Sequence, residues 1–317
     1  MKLVITDWQT MCIKNELSYE CFEKFGKVSA YSLTDHKNAA QNIGDAEILL
    51  CNKTPITGDV IRECKNLRYI GVLATGYNNI DMNAAKSAGI TVCNAGTYST
   101  DAVAQYVFAQ ILYHYNKIHL YNEDVRSGGW IKAPAFSYFP FPTQELNGKT
   151  IAVIGYGSIG RQVVKIADAF GMNVIINTRT TPINCPYELV SVQEAFARAD
   201  VLTVHTPLTT ETKGLISREN LALMKSSAFL INTARGAIAD EFALAEVLKE
   251  NKIAGAALDV LECEPMSDST PLRELKNCII TPHIAWSPLE TRQRLLDIAY
   301  NNLKSYLEDR PQNVVSL

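Results

Sequence analysis

The chain has 317 residues, 47% of them hydrophobic, and it carries 30 Lys and Arg against 33 Asp and Glu. This length predicts two domains of ordinary size, each able to bury a core. The near-neutral charge gives no electrostatic basis for binding nucleic acid or an anionic membrane, so a small molecule is the expected partner. The sequence has no run of about 18 uncharged apolar residues, and its start does not resemble a signal peptide. The eight cysteines show no metal-ligand spacing, and we expect a reducing, cytoplasmic location and no metal.

Short apolar runs alternate with helical patterns along most of the chain. Ten runs predict strands, at residues 3–5, 48–51, 69–73, 91–94, 151–154, 174–176, 201–205, 229–232, 256–259 and 278–281. Because these runs lack strict alternation, they are typical of strands covered by helices on both faces. The predicted fold class is therefore α/β, with doubly wound and largely parallel sheets.

Two segments indicate where the domains divide. A long helical pattern covers residues 100–126, and an aromatic and proline-rich segment follows at 130–142. Its bulky side chains form either a partner surface or an arm packed on its own domain, and the composition leaves both interpretations open. A last amphipathic helix, near residues 288–307, is placed to return to the first domain and make it discontinuous.

The segment IAVIGYGSIG predicts a dinucleotide site. Gly155, Gly157 and Gly160 follow an apolar strand, and Ser158 and Ile159 stand between them at the start of a helix. Glycines at this spacing allow a tight turn, close approach of a pyrophosphate, and close packing of helix on strand. The alternative is a glycine-rich turn with only a structural role.

The choice between NAD and NADP stays open. An acidic residue about 20 positions later usually accepts hydrogen bonds from the NAD ribose, but this strand ends in Asn177, Thr178 and Arg179. Arg179 is suited to pair with the extra phosphate of NADP. Alternatively, Arg179 lies against the adenine or in solvent, and Thr178 serves the ribose of NAD.

Polar residues also end three later strands, where open α/β sheets place their ligands. They belong to the segments NTARG, DVLECEP and TPHIAW. With LATGYNNID, STDAVAQ, GYGSIG and HTPLTTET, these segments make the chain similar to the D-2-hydroxyacid dehydrogenase family along essentially its whole length. The resemblance implies a Rossmann NAD(P)-binding domain at residues 100–285. It is inserted into a flavodoxin-like substrate-binding domain of residues 1–99 plus 286–317, and a homodimer is expected.

Hydride transfer to a 2-oxo acid requires three contributions from the protein. Arg235 is the candidate cation that fixes the acid and polarises its carbonyl. His283 is the candidate proton donor, because histidine changes charge near neutral pH. Glu264 is the candidate partner that fixes the imidazole tautomer and favours the imidazolium. Each residue also has an ordinary structural interpretation. His283 is then a packed histidine, Arg235 forms a surface ion pair, and Glu264 is a charge at a helix N-terminus. The resemblance assigns the same three roles to these residues.

The resemblance also implies the remaining binding residues. It implies that the backbone N–H groups of Ala74, Thr75 and Gly76, flanked by Leu73, meet the substrate carboxylate, and it counts Arg235 and His283 among the substrate-binding residues. For the cofactor it adds His205, Thr206, Pro207, Thr212, Thr233, Ala234, Asp259 and Val103. His205 has the alternative interpretation of a packed residue at the end of a strand.

The pattern most resembles glycerate dehydrogenases, which reduce hydroxypyruvate or glyoxylate, and it shows no obvious Arg or Lys cluster for a substrate phosphate. D-Lactate and other 2-hydroxy acids remain alternatives. A second alternative is an NAD(H)-sensing binding protein like the corepressors of this family. A third is formate or phosphite oxidation, and formate is disfavoured because formate dehydrogenases of this type carry Gln at the position of Glu264.

Overall fold

The computed structural model describes residues 1–315, which form two compact units. Of these residues, the first unit contains 1–99 and 287–315, and the second contains 100–286. Within the described chain, no helix combines the length and the apolar character that crossing a membrane requires.

The first unit has five strands and four α-helices. Its strands are β1 (Lys2–Ile5), β2 (Lys27–Ala30), β3 (Ile48–Cys51), β4 (Tyr69–Val72) and β5 (Thr91–Cys93). Its helices are α1 (Ala39–Ile43), α2 (Gly58–Glu63), α3 (Met82–Ser87) and α10 (Leu289–Leu307), with 3-10 turns at Trp8–Thr10, Glu20–Phe25 and His36–Asn38. The sheet is parallel with the order β2-β1-β3-β4-β5, which is the flavodoxin-like order.

At the switch point of this sheet, between β1 and β3, the protein binds one of its own carboxylates. Asp7 is 2% exposed and accepts hydrogen bonds from the backbone N–H groups of Asn52, Lys53 and Thr54 at 2.5 to 3.1 Å. Switch points of doubly wound sheets usually bind ligands. Here the donors that would hold an anion are already used by Asp7.

The second unit has seven strands and six α-helices. Its strands are β6 (Thr150–Ile154), β7 (Asn173–Asn177), β8 (Glu188–Leu189), β9 (Val201–Val204), β10 (Phe229–Asn232), β11 (Gly255–Leu258) and β12 (Cys278–Ile280). Its helices are α4 (Thr100–Asn116), α5 (Ile118–Arg126), α6 (Ser158–Ala169), α7 (Val192–Arg198), α8 (Arg218–Leu221) and α9 (Glu241–Lys249), with 3-10 turns at Trp130–Lys132 and Gly236–Ile238.

The second sheet is parallel with the order β12-β11-β10-β9-β6-β7-β8, and its direction of winding reverses between β6 and β9. Alternate residues of β6 face opposite cores. Ile151 and Val153 pack with α4 and α6, while Ala152 and Ile154 pack with α7, α8 and α9. Helices therefore cover both faces, as in a Rossmann fold, and the predicted fold class is confirmed.

The structure contains all ten predicted strands and two that the sequence did not predict. Both of these, β2 and β8, lie at sheet edges, where short and partly exposed strands carry little apolar signal. The helical pattern at residues 100–126 is two helices, because Lys117 adopts a left-handed conformation with φ 51° between α4 and α5. The prediction of one continuous helix there is therefore wrong, because the segment is interrupted at Lys117.

Candidate active site

The glycine turn joins β6 to α6 beside the switch point of the second sheet. Gly155 has φ +97°, and a Cβ there would lie 2.5 Å from the carbonyl oxygen of His205. A Cβ on Gly160 would lie 2.1 Å from the carbonyl oxygen of Gly155. These two glycines therefore permit the turn and the packing of the helix on the strand.

Gly157 differs because a Cβ on it would meet no atom within 4 Å. It is the N-cap of α6, whose first turn, including Ser158 and Ile159, receives no side-chain cap. Open space beside uncapped N–H groups at a helix N-terminus suits a phosphate. The residues present therefore fit the pyrophosphate of a dinucleotide.

The strand β7 ends at the residues that bear on the choice between NAD and NADP. Asn177 donates to the carbonyl oxygen of Val190 at 2.9 Å, so its side chain supports the sheet edge. Thr178 is half-buried and Arg179 is exposed. Arg179 also contributes to lowering the pKa of Glu211, after hydrogen bonds that involve Thr209 and the Glu211 backbone. Arg179 thus interacts electrostatically with a carboxylate of the loop after β9.

That loop begins with His205. Burial lowers the pKa of His205 to about 3, so its ring is neutral near pH 7, and Nε2 lies 2.9 Å from the hydroxyl of Thr203. The Thr212 hydroxyl donates to the carbonyl oxygen of Pro207 at 2.6 Å and accepts from the N–H of Thr209 at 2.7 Å. Thr206 is half-buried in the same turn. His205 and Thr212 therefore shape the loop beside the glycine turn.

His283 and Glu264 form the pair that the sequence predicts. Nδ1 of His283 lies 2.8 Å from Oε2 of Glu264. A carboxylate only accepts hydrogen bonds, so Nδ1 carries the proton of this contact. Glu264 Oε1 accepts from the backbone N–H of Leu261 at 3.1 Å. Both oxygens of the carboxylate are thus held, and the tautomer directs Nε2 away from Glu264.

Asp259 fixes the loop that carries His283. It is 1% exposed, and its carboxylate accepts from the Thr281 hydroxyl and from the N–H groups of Ile284 and Ala285 at 2.7 to 2.9 Å. Its carbonyl oxygen accepts from the N–H of His283 at 2.8 Å. Burial raises the pKa of Asp259, and the hydrogen bonds from this loop oppose the rise. The loop is therefore built around one buried carboxylate.

These bonds hold His283 in a conformation that few residues adopt. Its φ is 56°, in the left-handed region that is costly for residues other than glycine and asparagine. The indole N–H of Trp286 donates to the carbonyl oxygen of His283 at 2.9 Å. A strained backbone at a candidate proton donor is consistent with function, because surrounding contacts must maintain it.

Arg235 lies in the turn after β10. The buried side chain of Asn232 spans this turn, because its Oδ1 accepts from the N–H of Ala234 at 3.0 Å and its Nδ2 donates to the carbonyl oxygen of Arg235 at 2.9 Å. The half-buried guanidinium donates to the carbonyl oxygen of Ala234 at 2.7 Å. The turn also contains Thr233, whose buried hydroxyl has no hydrogen-bond partner within the described residues.

The next residue, Gly236, joins the Arg235 turn to the loop of Glu264. A Cβ on Gly236 would lie 1.8 Å from the carbonyl carbon of Leu261 and 2.3 Å from the N of Glu262. Only a glycine allows the two backbones to approach so closely. The structure therefore brings the segment of Arg235 against the loop that presents Glu264.

The remaining predicted residues have less distinctive surroundings. Val103 is buried in α4. In the first unit, Leu73 is fully buried, the N–H of Ala95 donates to the carbonyl oxygen of Ala74 at 2.9 Å, and Asn94 donates to that of Thr75 at 2.7 Å. The turn that ends in Gly76 is thus anchored through its carbonyl groups.

Sequence reasoning did not single out several residues that support the site. Tyr106 on α4 forms a side-chain hydrogen bond with Thr281. Burial raises the pKa of Tyr106, and Asp259 adds to the rise. Glu241 accepts a hydrogen bond from the backbone N–H of Glu262, in the loop of Glu264. Thr281 and Trp286 lie within the segment TPHIAW and were available as a signal, whereas nothing in the local pattern marks Tyr106.

Taken with the fold, this geometry defines a Rossmann-type oxidoreductase domain with a histidine–carboxylate pair. Residues 108–285 match the family model described as the D-isomer specific 2-hydroxyacid dehydrogenase, NAD binding domain. The chain belongs to this family. It is therefore an oxidoreductase with a domain for a nicotinamide cofactor.

Named relatives agree with this assignment. The chain is 41% identical to a hydroxypyruvate reductase of Blautia hydrogenotrophica, over all of both chains. It is 39% identical to a glycerate dehydrogenase of Methylorubrum extorquens, over 87% of each. A solved structure of an acyclic imino acid reductase in complex with NADPH and D-Arg superposes with a TM-score of 0.88 at 32% identity, over all of both chains.

Proposed function

We propose that the protein reduces a small unphosphorylated 2-oxo acid, hydroxypyruvate or glyoxylate above others, to the D-2-hydroxy acid. The observation that carries the proposal is the 2.8 Å contact between His283 Nδ1 and Glu264 Oε2 beside the Arg235 segment. Two relatives, at 41% and 39% identity, are a hydroxypyruvate reductase and a glycerate dehydrogenase, and they support this choice of substrate.

The roles of the residues follow from their geometry. A bound reduced nicotinamide supplies the hydride. Arg235, with its fixed charge and planar donors, binds the acid and polarises the carbonyl at C2. His283 donates a proton from Nε2 to the carbonyl oxygen as the carbon is reduced. Glu264 accepts the hydrogen bond from Nδ1 and keeps the ring oriented during the transfer. The Ala74–Thr75–Gly76 turn is proposed to bind the substrate carboxylate through its N–H groups.

Replacement of His283 tests this mechanism. We expect His283→Ala to lower kcat for hydroxypyruvate by about 100-fold or more, the usual scale of general acid assistance, while reduced cofactor still binds. His36→Ala is the matched control, because His36 Nδ1 also lies 2.8 Å from a carboxylate, that of Asp35, on the surface of the first unit. Full turnover of His283→Ala would remove His283 from the mechanism.

The substrate follows from a panel of 2-oxo acids. Turnover is measured from the absorbance of the reduced nicotinamide with hydroxypyruvate, glyoxylate, pyruvate and a bulky branched acid. Preference for the branched acid over hydroxypyruvate would refute the glycerate assignment, and preference for pyruvate would favour a D-lactate dehydrogenase. Tight cofactor binding without any turnover would favour the alternative function, an NAD(H)-sensing binding protein.

We propose that the protein accepts NADPH as well as NADH and that Arg179 binds the additional phosphate. The exposed guanidinium stands at the end of β7, the position at which an acidic residue would otherwise accept hydrogen bonds from the NAD ribose. A charge-assisted hydrogen bond contributes about 1.5 to 3 kcal/mol, so Arg179→Ala is expected to raise the KM for NADPH by about 10-fold or more. The KM for NADH should stay close to that of the wild type. Equal changes for both cofactors would contradict this role.

A homodimer and a cytoplasmic location complete the proposal. Within residues 130–139, Ile131, Phe136 and Phe139 are 88%, 90% and 83% exposed. Apolar side chains so exposed and so close in sequence favour a partner surface over an arm packed on its own domain. A second copy of the chain is the partner we propose.

A further inference from the structure

The loop that presents Glu264 is held by a second carboxylate. Glu241 is the first residue of α9, and its Oε1 accepts the backbone N–H of Glu262 at 2.6 Å. Glu262 stands two residues before Glu264. Asp240 already caps α9 by accepting from the N–H of Ala243 at 3.0 Å, so the Glu241 side chain is available for the loop.

The same segment holds the loop at a second point. Gly236 packs against the backbone of Leu261 and Glu262, and the N–H of Leu261 donates to Glu264 Oε1 at 3.1 Å. Gly236 and Glu241 both belong to residues 235–241, the segment that begins with Arg235. Two contacts therefore tie the Glu264 loop to the Arg235 segment.

We propose that Glu241 is a positioning residue that fixes Glu264, and with it His283, relative to Arg235. This inference rests on the function proposed above. Glu241 acts through the Glu262 N–H, and its bond keeps the loop from moving away from the Arg235 segment. General acid assistance depends on such placement, because a shift of about 1 Å at reacting groups lowers rates by about 100-fold.

The charge of Glu241 is not what the position requires. Burial raises the pKa of Glu241, and the carboxylates of Glu262 and Glu264 add to the rise. A like charge near Glu264 is unfavourable, whereas the hydrogen bond to Glu262 is favourable. The acceptor atom is therefore the useful part of the side chain, and a glutamine amide oxygen provides the same acceptor without the charge.

Three variants on α9 separate these roles. Glu241→Ala removes the acceptor, Glu241→Gln keeps it, and Glu246→Ala removes an exposed carboxylate that pairs with Arg218 on the surface. We expect Glu241→Ala to lower kcat for the best 2-oxo acid by about 10- to 100-fold, with an unchanged KM for reduced cofactor. Glu241→Gln and Glu246→Ala should keep most of the wild-type kcat. Each preparation is titrated with reduced cofactor to measure the concentration of folded sites, and kcat is calculated per folded site. A loss of folded protein therefore does not appear as a loss of kcat.

Two results would overturn the inference. The first is a wild-type kcat per folded site for Glu241→Ala. The second is a Glu241→Gln variant as impaired as Glu241→Ala, since this would show that the charge and not the acceptor matters. Failure of the proposed function is a different result, because then the wild type does not reduce 2-oxo acids or His283→Ala retains full turnover.

Discussion

Gly236→Ala should separate chemistry from cofactor binding. The new methyl carbon would lie 1.8 Å from the carbonyl carbon of Leu261 and 2.0 Å from its oxygen, where ordinary contacts begin at 3.4 Å. The two backbones must therefore separate by about 1.6 Å. Neither neighbour is a flexible side chain that can turn away. Overpacking of this kind costs about 1 to 3 kcal/mol of folding free energy.

The same displacement moves Glu264 relative to Arg235. Since a misplacement of about 1 Å costs about 100-fold in rate, kcat for the 2-oxo acid should fall at least that far in Gly236→Ala. The assay is steady-state reduction of hydroxypyruvate, combined with fluorescence titration of reduced cofactor and thermal unfolding. The glycine turn lies in a different loop, so the affinity for reduced cofactor should fall by a much smaller factor than kcat.

Gly157→Ala is the matched control with the opposite expectation. Its methyl group meets no protein atom within 4 Å, so the fold should keep its stability. The affinity for reduced cofactor should fall, because the methyl group occupies the space proposed for the pyrophosphate. Wild-type kcat in Gly236→Ala would show that the loop relaxes without moving Glu264 and would refute the reasoning. Unchanged cofactor affinity in Gly157→Ala would place the pyrophosphate elsewhere.

Two further predictions concern stability and assembly. Burial, with Lys117 adding to it, lowers the pKa of His114 to about 4. As the pH falls below about 6.5 the unfolded chain takes up a proton that the folded ring cannot, so stability present above pH 6.5 is lost between there and pH 4. At pH 5 the loss, discounted for partial exposure of the ring, is about 1 kcal/mol, and urea unfolding of His114→Gln should show a smaller decline. Separately, a Phe136→Ser, Phe139→Ser variant should sediment as a monomer where the wild type sediments as a dimer. Ile183→Ser alters another exposed apolar residue, at 92% exposure, and this control variant should still sediment as a dimer. A wild-type protein that sediments as a monomer would refute the proposed interface.

The sequence was sufficient for those features that depend on neighbouring residues. Apolar runs predicted ten of the twelve strands in the described residues, because a strand covered on both faces of a parallel sheet demands a continuous apolar run. The spacing of Gly155, Gly157 and Gly160 predicted the turn, in which Gly155 and Gly160 satisfy steric demands and Gly157 leaves open space. The edge strands β2 and β8 and the break at Lys117 were missed, because short exposed strands and a single left-handed residue leave almost no periodic signal.

The sequence also named Arg235, Glu264 and His283, but only tertiary structure decided how they are held. His283 stands 19 positions after Glu264, and their 2.8 Å contact depends on where two loops leave neighbouring strands. The φ of 56° at His283 is maintained by Asp259 and Trp286, and the Glu264 loop is held by Glu241 and Gly236. Patterns along a chain report which residues are buried or can turn, whereas contacts between loops are set by strand register and loop path. For that reason the sequence was sufficient to propose which residues carry the chemistry, whereas only the fold shows the contacts that support them.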